Sequence, residues 1–294
     1  MKKILLGVLL VALVFSILIA FFVTRMQGDF TLGEKVAVVR VHGSISMSDA
    51  GGVFPEASTT PHKVKEMLDK AERDSSVKAI LVDINSPGGS VVASEEISRD
   101  IKSASKPTVC WLGEIAASGG YYVASACDYI VADRATITGS LGVISIFPEY
   151  SKLLEKIGVN MTVIKAGEFK DFSTGFRPMT EEEIEMMEAV VEETYEFFIA
   201  DMAQNRNLSV EYIKSIAGGQ VYTGKRALEL GLVDEVDNRG RAIEKAGELG
   251  NIEGEPDVVE YRKGTFLKEF VGAAFQNLGY GLAKGFAERG TLLS

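Results

Sequence analysis

Histidine and cysteine are the scarcest reactive residues in this sequence of 294 residues, which contains two of each. Having only His42 and His62 excludes a zinc site built on several imidazoles. It also restricts any triad of serine, histidine and aspartate to one of these two positions. Internal repeats and low-complexity linkers are absent as well, so we expect one large domain after the N-terminal segment.

Basic side chains are outnumbered, with 31 lysines and arginines against 41 acidic residues and a net charge of −10. Three of the basic residues (Lys2, Lys3 and Arg25) fall within residues 1–28, which contain no acid. Residues 29–294 therefore hold 28 basic and 41 acidic side chains and carry a charge of −13. Such an acidic body argues against nucleic acid and against an anionic lipid surface as partners.

Residues 4–23 form a long apolar run in which 18 of 20 residues are apolar and none is charged. Twenty helical residues rise about 30 Å, the thickness of the hydrocarbon core of a bilayer. A cleaved signal peptide has small residues before the cut, whereas Leu18 stands at the −3 position of Ala20. We therefore predict an uncleaved transmembrane signal-anchor helix, with a cleaved signal peptide as the alternative.

The flanking charges predict the orientation of this anchor. Lys2 and Lys3 favour the cytoplasm, which puts residues 29–294 outside the cell membrane as a single-pass protein. Cys110 and Cys127 lie in the exported part, where they could pair. Cys110 lies in an apolar run and Cys127 in a segment of small residues, so the sequence favours two buried free thiols.

Strands alternate with helices after the anchor, a pattern typical of one α/β domain with a largely parallel sheet. A capping box of Thr180 and Glu183 opens a long helix. Residues 46–61 are predicted to form a loop. The predicted strands are 36–45, 78–84, 107–113 and 160–166, with short strands within 128–146; the other predicted helices are 62–73, 91–104, 116–127 and 151–157.

Two glycine-bearing turns follow neighbouring predicted strands. In NSPGGS (85–90), the amides of Gly88 and Gly89 can point at one spot and would stabilise an oxyanion there. In AASGG (116–120), Ser118 stands at a helix N-terminus, where the dipole favours negative charge. Each turn has a plainer alternative, an ordinary β-to-α turn and an N-cap serine respectively. Turns on successive strands of one sheet converge on one crevice, which strengthens both interpretations.

A third turn, GGQVYTGKR (218–226), matches only the first part of a phosphate-binding loop. Arg226 replaces the serine or threonine that would bind magnesium. We interpret this segment as a turn leading into a helix at 224–231 and expect neither a cofactor nor a metal.

Several motifs occur in a fixed order along the chain: DINSPGGS (83–90), ASGGYYVAS (117–125), TGSLGVI (138–144), KAGEFKDF (165–172) and QVYTGKRALELGLVDEV (220–236). With these motifs, the sequence from about residue 36 to residue 250 resembles signal peptide peptidase A. That family is membrane-anchored and related to the Clp protease/crotonase-like superfamily. The resemblance implies an α/β domain of this type, preceded by one N-terminal transmembrane helix.

The same resemblance implies a serine endopeptidase with a Ser-Lys dyad that degrades remnant signal peptides and other short hydrophobic peptides. It also implies a homo-oligomeric ring, in which the lysine serves the serine either of its own subunit or of a neighbour. The implied roles are nucleophile for Ser118, general base for Lys170, oxyanion amides for Gly88 or Gly89 and for Gly119, and lysine-orienting serine for Ser140.

Alternatives to this assignment exist within the same motifs. A lysine acts as a base when burial lowers its pKa, and phenylalanines on either side of Lys170 are available to exclude water. Asp171 opposes this, because a nearby carboxylate favours the charged form of a lysine. Lys165 is the alternative base. Ser140 is the alternative nucleophile, although no helix follows it.

The sequence divides into an anchor (1–28), a protease domain (29–262) and a C-terminal amphipathic segment (263–294). Residues 266–286 carry an apolar stripe flanked by basic residues, which indicates core packing or docking on a neighbouring subunit or on the bilayer. Three alternative functions remain at this stage. They are a membrane-protein quality-control protease of the same superfamily, a crotonase-like acyl-CoA enzyme and a non-catalytic scaffold.

Overall fold

The structure is a computed structural model that describes residues 33–48 and 58–261, together with the isolated positions Leu13 and Ser16. Apart from those two positions, the predicted signal-anchor at 4–23 lies outside the described residues, as does the segment 263–294. Within the described ranges, no helix is both long enough and apolar enough to cross a bilayer. The described residues up to Val259 belong to one compact unit, and Glu260 and Tyr261 are the described part of a second.

A mainly parallel sheet forms the centre of the first unit, as the alternating pattern predicts. Its strands lie in the spatial order β10-β1-β4-β5-β6-β9, with β7 between β5 and β8, and the pair of β7 and β8 is antiparallel. A separate short pair is made by β2 and β3. The strands are β1 (Lys35–His42), β2 (Ser44–Ile45), β3 (Ser58–Thr59), β4 (Val77–Ser86), β5 (Thr108–Ala117), β6 (Tyr129–Ala132), β7 (Ile137–Gly139), β8 (Val221–Thr223), β9 (Glu235–Val236) and β10 (Asp257–Glu260).

Helices connect the strands and cover the sheet. Because parallel crossovers are right-handed, the helices between β1, β4, β5 and β6 share one face. The last helix of the described residues covers the other face and packs Ala242 and Ala246 against Val38 and Leu81. The helices are α1 (Pro61–Arg73), α2 (Val91–Lys102), α3 (Gly119–Ser125), α4 (Ser151–Lys156), α5 (Glu181–Arg206), α6 (Val210–Ile216), α7 (Gly224–Glu229) and α8 (Arg239–Leu249).

The register of the central strands positions the two glycine-bearing turns. Strands β4 and β5 are parallel neighbours, and Ser86 at the end of β4 pairs with Ala116 near the end of β5. Strand β5 is longer than predicted and continues to Ala117. The chain therefore leaves both strands at the same edge of the sheet, so the turns that follow lie side by side.

The predicted strand at 160–166 is wrong, because residues 159–165 form no regular structure. Their β-branched residues suggest a strand, but a strand needs a neighbour with which to pair. No described strand pairs with this segment, and Ile164 is 95% exposed. The predicted strand at 36–45 is likewise interrupted, at Gly43, where a φ of 74° separates β1 from β2.

The two cysteines also differ from expectation, since they form a disulfide and are not free thiols. Cys110 lies in β5, and Cys127 lies just beyond the end of α3. The chain between them runs out along β5 and returns through α3, which brings the two Cα atoms to 5.8 Å. This distance suits a disulfide. The loop closed by this bridge contains Ser118.

Candidate active site

Ser118 stands at the junction between β5 and α3 in a strained backbone conformation. Its φ and ψ angles are 52° and −123°, a combination that residues with a side chain rarely adopt. The Ser118 amide donates to the Gly139 carbonyl at 2.8 Å, and the Tyr122 amide donates to the Ser118 carbonyl at 2.9 Å. Ser118 occupies the N-cap position, but its hydroxyl makes no capping hydrogen bond. Ser118 is therefore the N-cap residue by position, but its hydroxyl does not act as a cap.

The turn that contains Gly88 and Gly89 packs directly against the Ser118 turn. A Cβ atom on Gly88 would lie 2.6 Å from the Gly119 amide nitrogen and 3.1 Å from the Ser118 Cβ atom. A Cβ atom on Gly89 would lie 2.1 Å from the carbonyl oxygen of Ile45. Only glycine fits at either position. We refer to residues 86–90 and 117–120 together as the glycine turns.

The amides of the glycine turns differ in whether they already have a hydrogen-bond acceptor. The Gly88 amide donates to the Ser86 hydroxyl at 3.1 Å. Among the described residues, no acceptor is found for the amides of Gly89 and Gly119. The Gly89 nitrogen lies 3.3 Å from the position of a Cβ on Gly119, so the two free amides are close together. Of the predicted oxyanion amides, these two are the ones free to bind an anion.

Ser140 lies beside Ser118 in a second strained turn. Its φ angle is 49°, and its amide donates to the Gln220 carbonyl at 2.7 Å. Ser118 and Ser140 line the same cavity of about 470 Å³, which also borders Glu192 on α5. The structure therefore brings together the two serines that the sequence singles out.

Lys170 is not brought to Ser118 within one chain. It lies in an irregular segment, its side chain is exposed, and its amine makes no hydrogen bond or ion pair to a described residue. Neither cavity that contains Ser118 is lined by Lys170. Phe172, which we expected to exclude water near the lysine, packs its ring on Phe147 at 5.7 Å.

Residues 143–178, which we call the lysine segment, expose much of their apolar surface. Ile144 is 81% exposed, and several other large side chains of the segment lie in solvent in the single chain. These are Ile146, Tyr150, Leu153, Ile157, Val159, Met161, Val163, Ile164 and Phe176. So many exposed large apolar side chains in one segment are typical of an interaction site.

Asp171, which we expected to oppose a neutral Lys170, is engaged elsewhere. Its carboxylate accepts hydrogen bonds from Lys165 at 2.6 Å and from Arg177 at 2.7 Å. Arg177, and after it Lys165, hold the pKa of the Asp171 carboxyl well below its usual range. The alternative base, Lys165, is thus committed to an ion pair. Arg177 also binds Glu183 at 2.6 Å, in the predicted capping box with Thr180, and lowers the Glu183 pKa to about 2.

The two histidines lie away from Ser118. The His42 Nε2 atom makes a hydrogen bond with Asp83 at 3.0 Å, and Arg239 binds the other oxygen of that carboxylate at 2.8 Å. His62 lies in the first turn of α1. Neither histidine lines a cavity that contains Ser118, so the described residues form no triad of serine, histidine and aspartate.

A second cavity lined by Ser118 has a volume of about 490 Å³, and it was not predicted from the sequence. It runs between α3 and α5 and includes Tyr122 and Asp201. The Tyr122 ring stacks on Phe198 with centroids 5.0 Å apart. Asp201 lies more than eighty residues from Ser118 in the sequence. Only the motif ASGGYYVAS, which places Tyr122 one helical turn after Ser118, signals part of this site.

Comparison with known proteins identifies the class of enzyme. A Methanocaldococcus jannaschii protein named as a protease is 39% identical over 302 residues, covering 98% of this chain and 95% of the relative. An Enterococcus faecium relative named for signal peptide peptidase SppA is 32% identical over 235 residues, covering 79% of this chain and 68% of the relative. The chloroplastic serine protease SPPA of Arabidopsis thaliana is 35% identical over 222 residues, 74% of this chain and 33% of the relative.

Solved structures support the same fold. A mutant of a membrane-bound stomatin-specific protease, in complex with a substrate peptide, aligns with a TM-score of 0.53 at 15% identity. The alignment covers 83% of this chain and 99% of that one. At this identity the likeness shows the fold alone.

The α/β fold and these relatives define a serine peptidase. Residues 100–253 match peptidase family S49, and the chain belongs to that family. The predicted resemblance to SppA-type proteases is confirmed. The peptidase interpretation is therefore preferred over the acyl-CoA enzyme and the scaffold.

Proposed function

We propose that this protein is a membrane-anchored serine endopeptidase in which Ser118 is the nucleophile and Lys170 of an adjacent subunit is the general base. The observation that carries the proposal is the close packing of the Ser118 turn on the Gly89 turn: the Ser118 hydroxyl makes no capping hydrogen bond, and the Gly89 and Gly119 amides have no acceptor among the described residues. A serine nucleophile with free backbone donors nearby is the arrangement that acyl transfer requires.

The reaction follows from these positions. The Ser118 oxygen attacks the carbonyl carbon of the scissile peptide bond, and its proton passes to a neutral lysine amine. The negative charge that develops on the carbonyl oxygen is stabilised by the amides of Gly89 and Gly119. The lysine then returns the proton to the leaving amine, which gives an acyl-enzyme. Water, deprotonated by the same lysine, releases the acyl group.

Two observations support a base supplied by another subunit. Lys170 lines neither cavity beside Ser118, and the segment that carries it exposes an apolar surface in the single chain. Covering that surface with a second copy would remove water around the amine, and burial favours its neutral form. Ser140, beside Ser118, is the group that we propose to orient the incoming amine. We propose a homo-oligomeric ring on this basis.

The proposed substrates are remnant signal peptides and other short hydrophobic peptides. Apolar side chains line the cavity beside Ser118, including Val91, Val143 and Phe197. The name of the Enterococcus faecium relative agrees with this substrate class. Quality-control cleavage of partner membrane proteins is the alternative target for the same chemistry.

We also propose that residues 4–23 anchor the chain and that the peptidase domain is extracytoplasmic. The apolar run and the flanking Lys2 and Lys3 support the anchor and its orientation. The Cys110–Cys127 disulfide supports an oxidising compartment. Protease treatment of spheroplasts and inverted vesicles tests the orientation, since only treatment of spheroplasts should degrade residues 29–294.

The dyad is tested by substitution and by mixing. Ser118→Ala and Lys170→Ala should each lower kcat for an unstructured apolar peptide by at least about 10³-fold. Lys165→Ala, a substitution of the alternative base, should lower kcat far less. When the Ser118→Ala and Lys170→Ala proteins are unfolded and assembled together, activity should return, because a subunit with an intact serine can meet one with an intact lysine.

Three results would contradict the proposal. Full activity of Ser118→Ala would exclude this nucleophile and, if Ser140→Ala is inactive at the same time, would point to the alternative serine. A mixture that stays inactive would place the base within the same chain as the nucleophile. A rate that does not rise between pH 6 and pH 9 would argue against a lysine base.

A further inference from the structure

The cavity of about 490 Å³ beside Ser118 has an apolar part and an acidic end. Ser118, Gly89 and Gly119 border it on the side of the proposed reaction centre, and Val91 and Phe197 are among its apolar residues. Tyr122 lies one turn along α3 from Ser118, a rise of about 5.4 Å. Asp201 and Glu95 lie in the same cavity, which therefore contains two carboxylates as well as the nucleophile.

These two carboxylates differ in their partners. Glu95 forms an ion pair with Arg99 one turn along α2, so its charge is compensated. Asp201 accepts a hydrogen bond from the Tyr122 hydroxyl at 2.5 Å. No described lysine, arginine or histidine lies within 4.0 Å of the Asp201 carboxylate. One negative charge in the cavity is thus left without a cation.

The Tyr122 hydroxyl keeps its proton and does not transfer it to the Asp201 carboxylate. Burial, and after it the Asp201 carboxylate, raise the pKa of Tyr122 far above its usual value. Tyr122 therefore remains a neutral donor that fixes one oxygen of Asp201, while the second oxygen remains free to accept from another group. A carboxylate held in this way favours a cationic ligand with its own donors.

The other cavity beside Ser118 also contains a carboxylate, that of Glu192. Glu192 is exposed, so water screens its charge. Asp201 is partly buried and packed beside the Tyr122 and Phe198 rings, where screening is weaker. Asp201 is therefore the stronger determinant of which side chain enters next to the nucleophile.

We propose that Asp201 selects a lysine or arginine side chain of the substrate in the cavity beside Ser118. The aliphatic part of that side chain would contact Val91 and Phe197, and its cation would pair with Asp201. The inference rests on the proposed function, because it takes Ser118 as the nucleophile. It narrows the substrate class to apolar peptides with a basic residue near the scissile bond, and signal peptides carry basic residues beside their apolar run.

The test uses the full-length protein in detergent and two peptides that differ at one position. Digestion of casein, with the cleavage sites mapped by mass spectrometry, should show lysine or arginine enriched at one fixed position. A matched pair of peptides would then carry lysine or the uncharged norleucine at that position. Asp201→Asn should lower the ratio of kcat/KM for lysine over norleucine by about 10- to 100-fold, the range for a hydrogen bond to a charged group.

The control is Glu193→Gln, which removes the same charge from the same helix but lines neither cavity beside Ser118. It should leave the ratio unchanged. Asp201→Lys should reverse the preference, so that the norleucine peptide is cleaved better than the lysine peptide. The melting temperature of each variant reports whether it folds. An unchanged ratio in folded Asp201→Asn, or Ser118-dependent cleavage without any basic preference, would overturn this inference. Cleavage that survives Ser118→Ala would instead overturn the proposed function.

Discussion

The glycine turns and the lysine segment contribute to the proposed active site in opposite ways. In the glycine turns, main-chain hydrogen bonds hold Gly88, Ser90 and Ser118, and a Cβ atom added to Gly88 or Gly89 would collide with neighbouring residues of the same chain. In the lysine segment, large apolar side chains face solvent, and a Cβ on Gly158 would meet nothing within 4 Å. The difference agrees with our proposal that a single chain forms the part of the site around Ser118 and that a second subunit covers the lysine segment.

The largest effect expected from this comparison is that of one added methyl group. Gly89→Ala should lower kcat by at least about 10²-fold, because the collision with Ile45 would displace an amide proposed to bind the oxyanion. Gly158→Ala is the matched control in the lysine segment, since it also has a positive φ, of 74°, but has open space. The kcat of Gly158→Ala in a peptidase assay should fall by less than about tenfold. Equal losses for the two variants would remove the distinction between the regions.

The second effect concerns assembly. Ile164→Asp places a charge on the most exposed large apolar side chain of the lysine segment, so it should dissociate the oligomer and lower activity about tenfold or more. Light scattering and peptidase assays would measure the two effects together. Leu228→Asp, at an exposed apolar residue of α7, should change neither the oligomeric state nor the peptidase activity. If Ile164→Asp dissociates nothing, the segment is not the subunit interface.

The third effect is on the stability of the region around Ser118. Removing the Cys110–Cys127 disulfide by a double substitution to alanine should cost about 3 kcal/mol. For a domain of this size, the melting temperature should fall by roughly 6–12 °C. A reductant should lower the melting temperature of the unsubstituted protein and leave that of the double variant unchanged. If a reductant leaves the melting temperature of the unsubstituted protein unchanged, Cys110 and Cys127 do not form a disulfide.

The smallest effect is a dependence of stability on pH in the lysine segment. Arg177 lowers the pKa of both Asp171 and Glu183 in the folded chain, so their unfolded forms bind protons more readily. The stability that they contribute is therefore complete above their ordinary pKa values of 3.8 and 4.5, and it is lost as pH falls towards 2. The melting temperature should fall by a few degrees between pH 5 and pH 2.5.

Arg177→Gln provides the control for this dependence. Because it removes the group that lowers both pKa values, it should flatten the profile over the same pH range. A variant that loses stability with acid as steeply as the unsubstituted protein would show that other carboxylates dominate.

Local patterns were sufficient to predict most of the elements that position the site. Helix α1, strand β4 and the capping box of α5 depend on residues close in sequence, and the structure contains all three. The convergence of the two glycine turns was also predictable, because neighbouring parallel strands end at the same edge. The turns suggested roles for Ser118, Gly88 and Gly89, and the resemblance added those of Lys170, Gly119 and Ser140; all six roles stay predictions.

Tertiary contacts account for what the sequence did not reveal. The disulfide depends on the path of the chain through β5 and α3, not on the character of either cysteine. Asp201 reaches the cavity of Ser118 only because α5 packs against α3, and nothing near Asp201 in the sequence signals this. Residues 160–166 have the composition of a strand but lie beside no strand with which they could pair. Composition alone does not show whether such a neighbour exists.

Strand β2 holds the turn of Gly89 entirely through main-chain atoms. The Ile45 amide donates to the Gly88 carbonyl, and the Ser90 amide donates to the Ile45 carbonyl, each at 2.9 Å. Because neither bond involves a side chain, replacing the buried Ile45 by another apolar residue of similar size would preserve both. The Gly89 amide, which we propose to bind the oxyanion, therefore depends on the backbone path of a strand of two residues. The glycines of such a turn are recognisable in a sequence, whereas a strand that acts through its main chain is not.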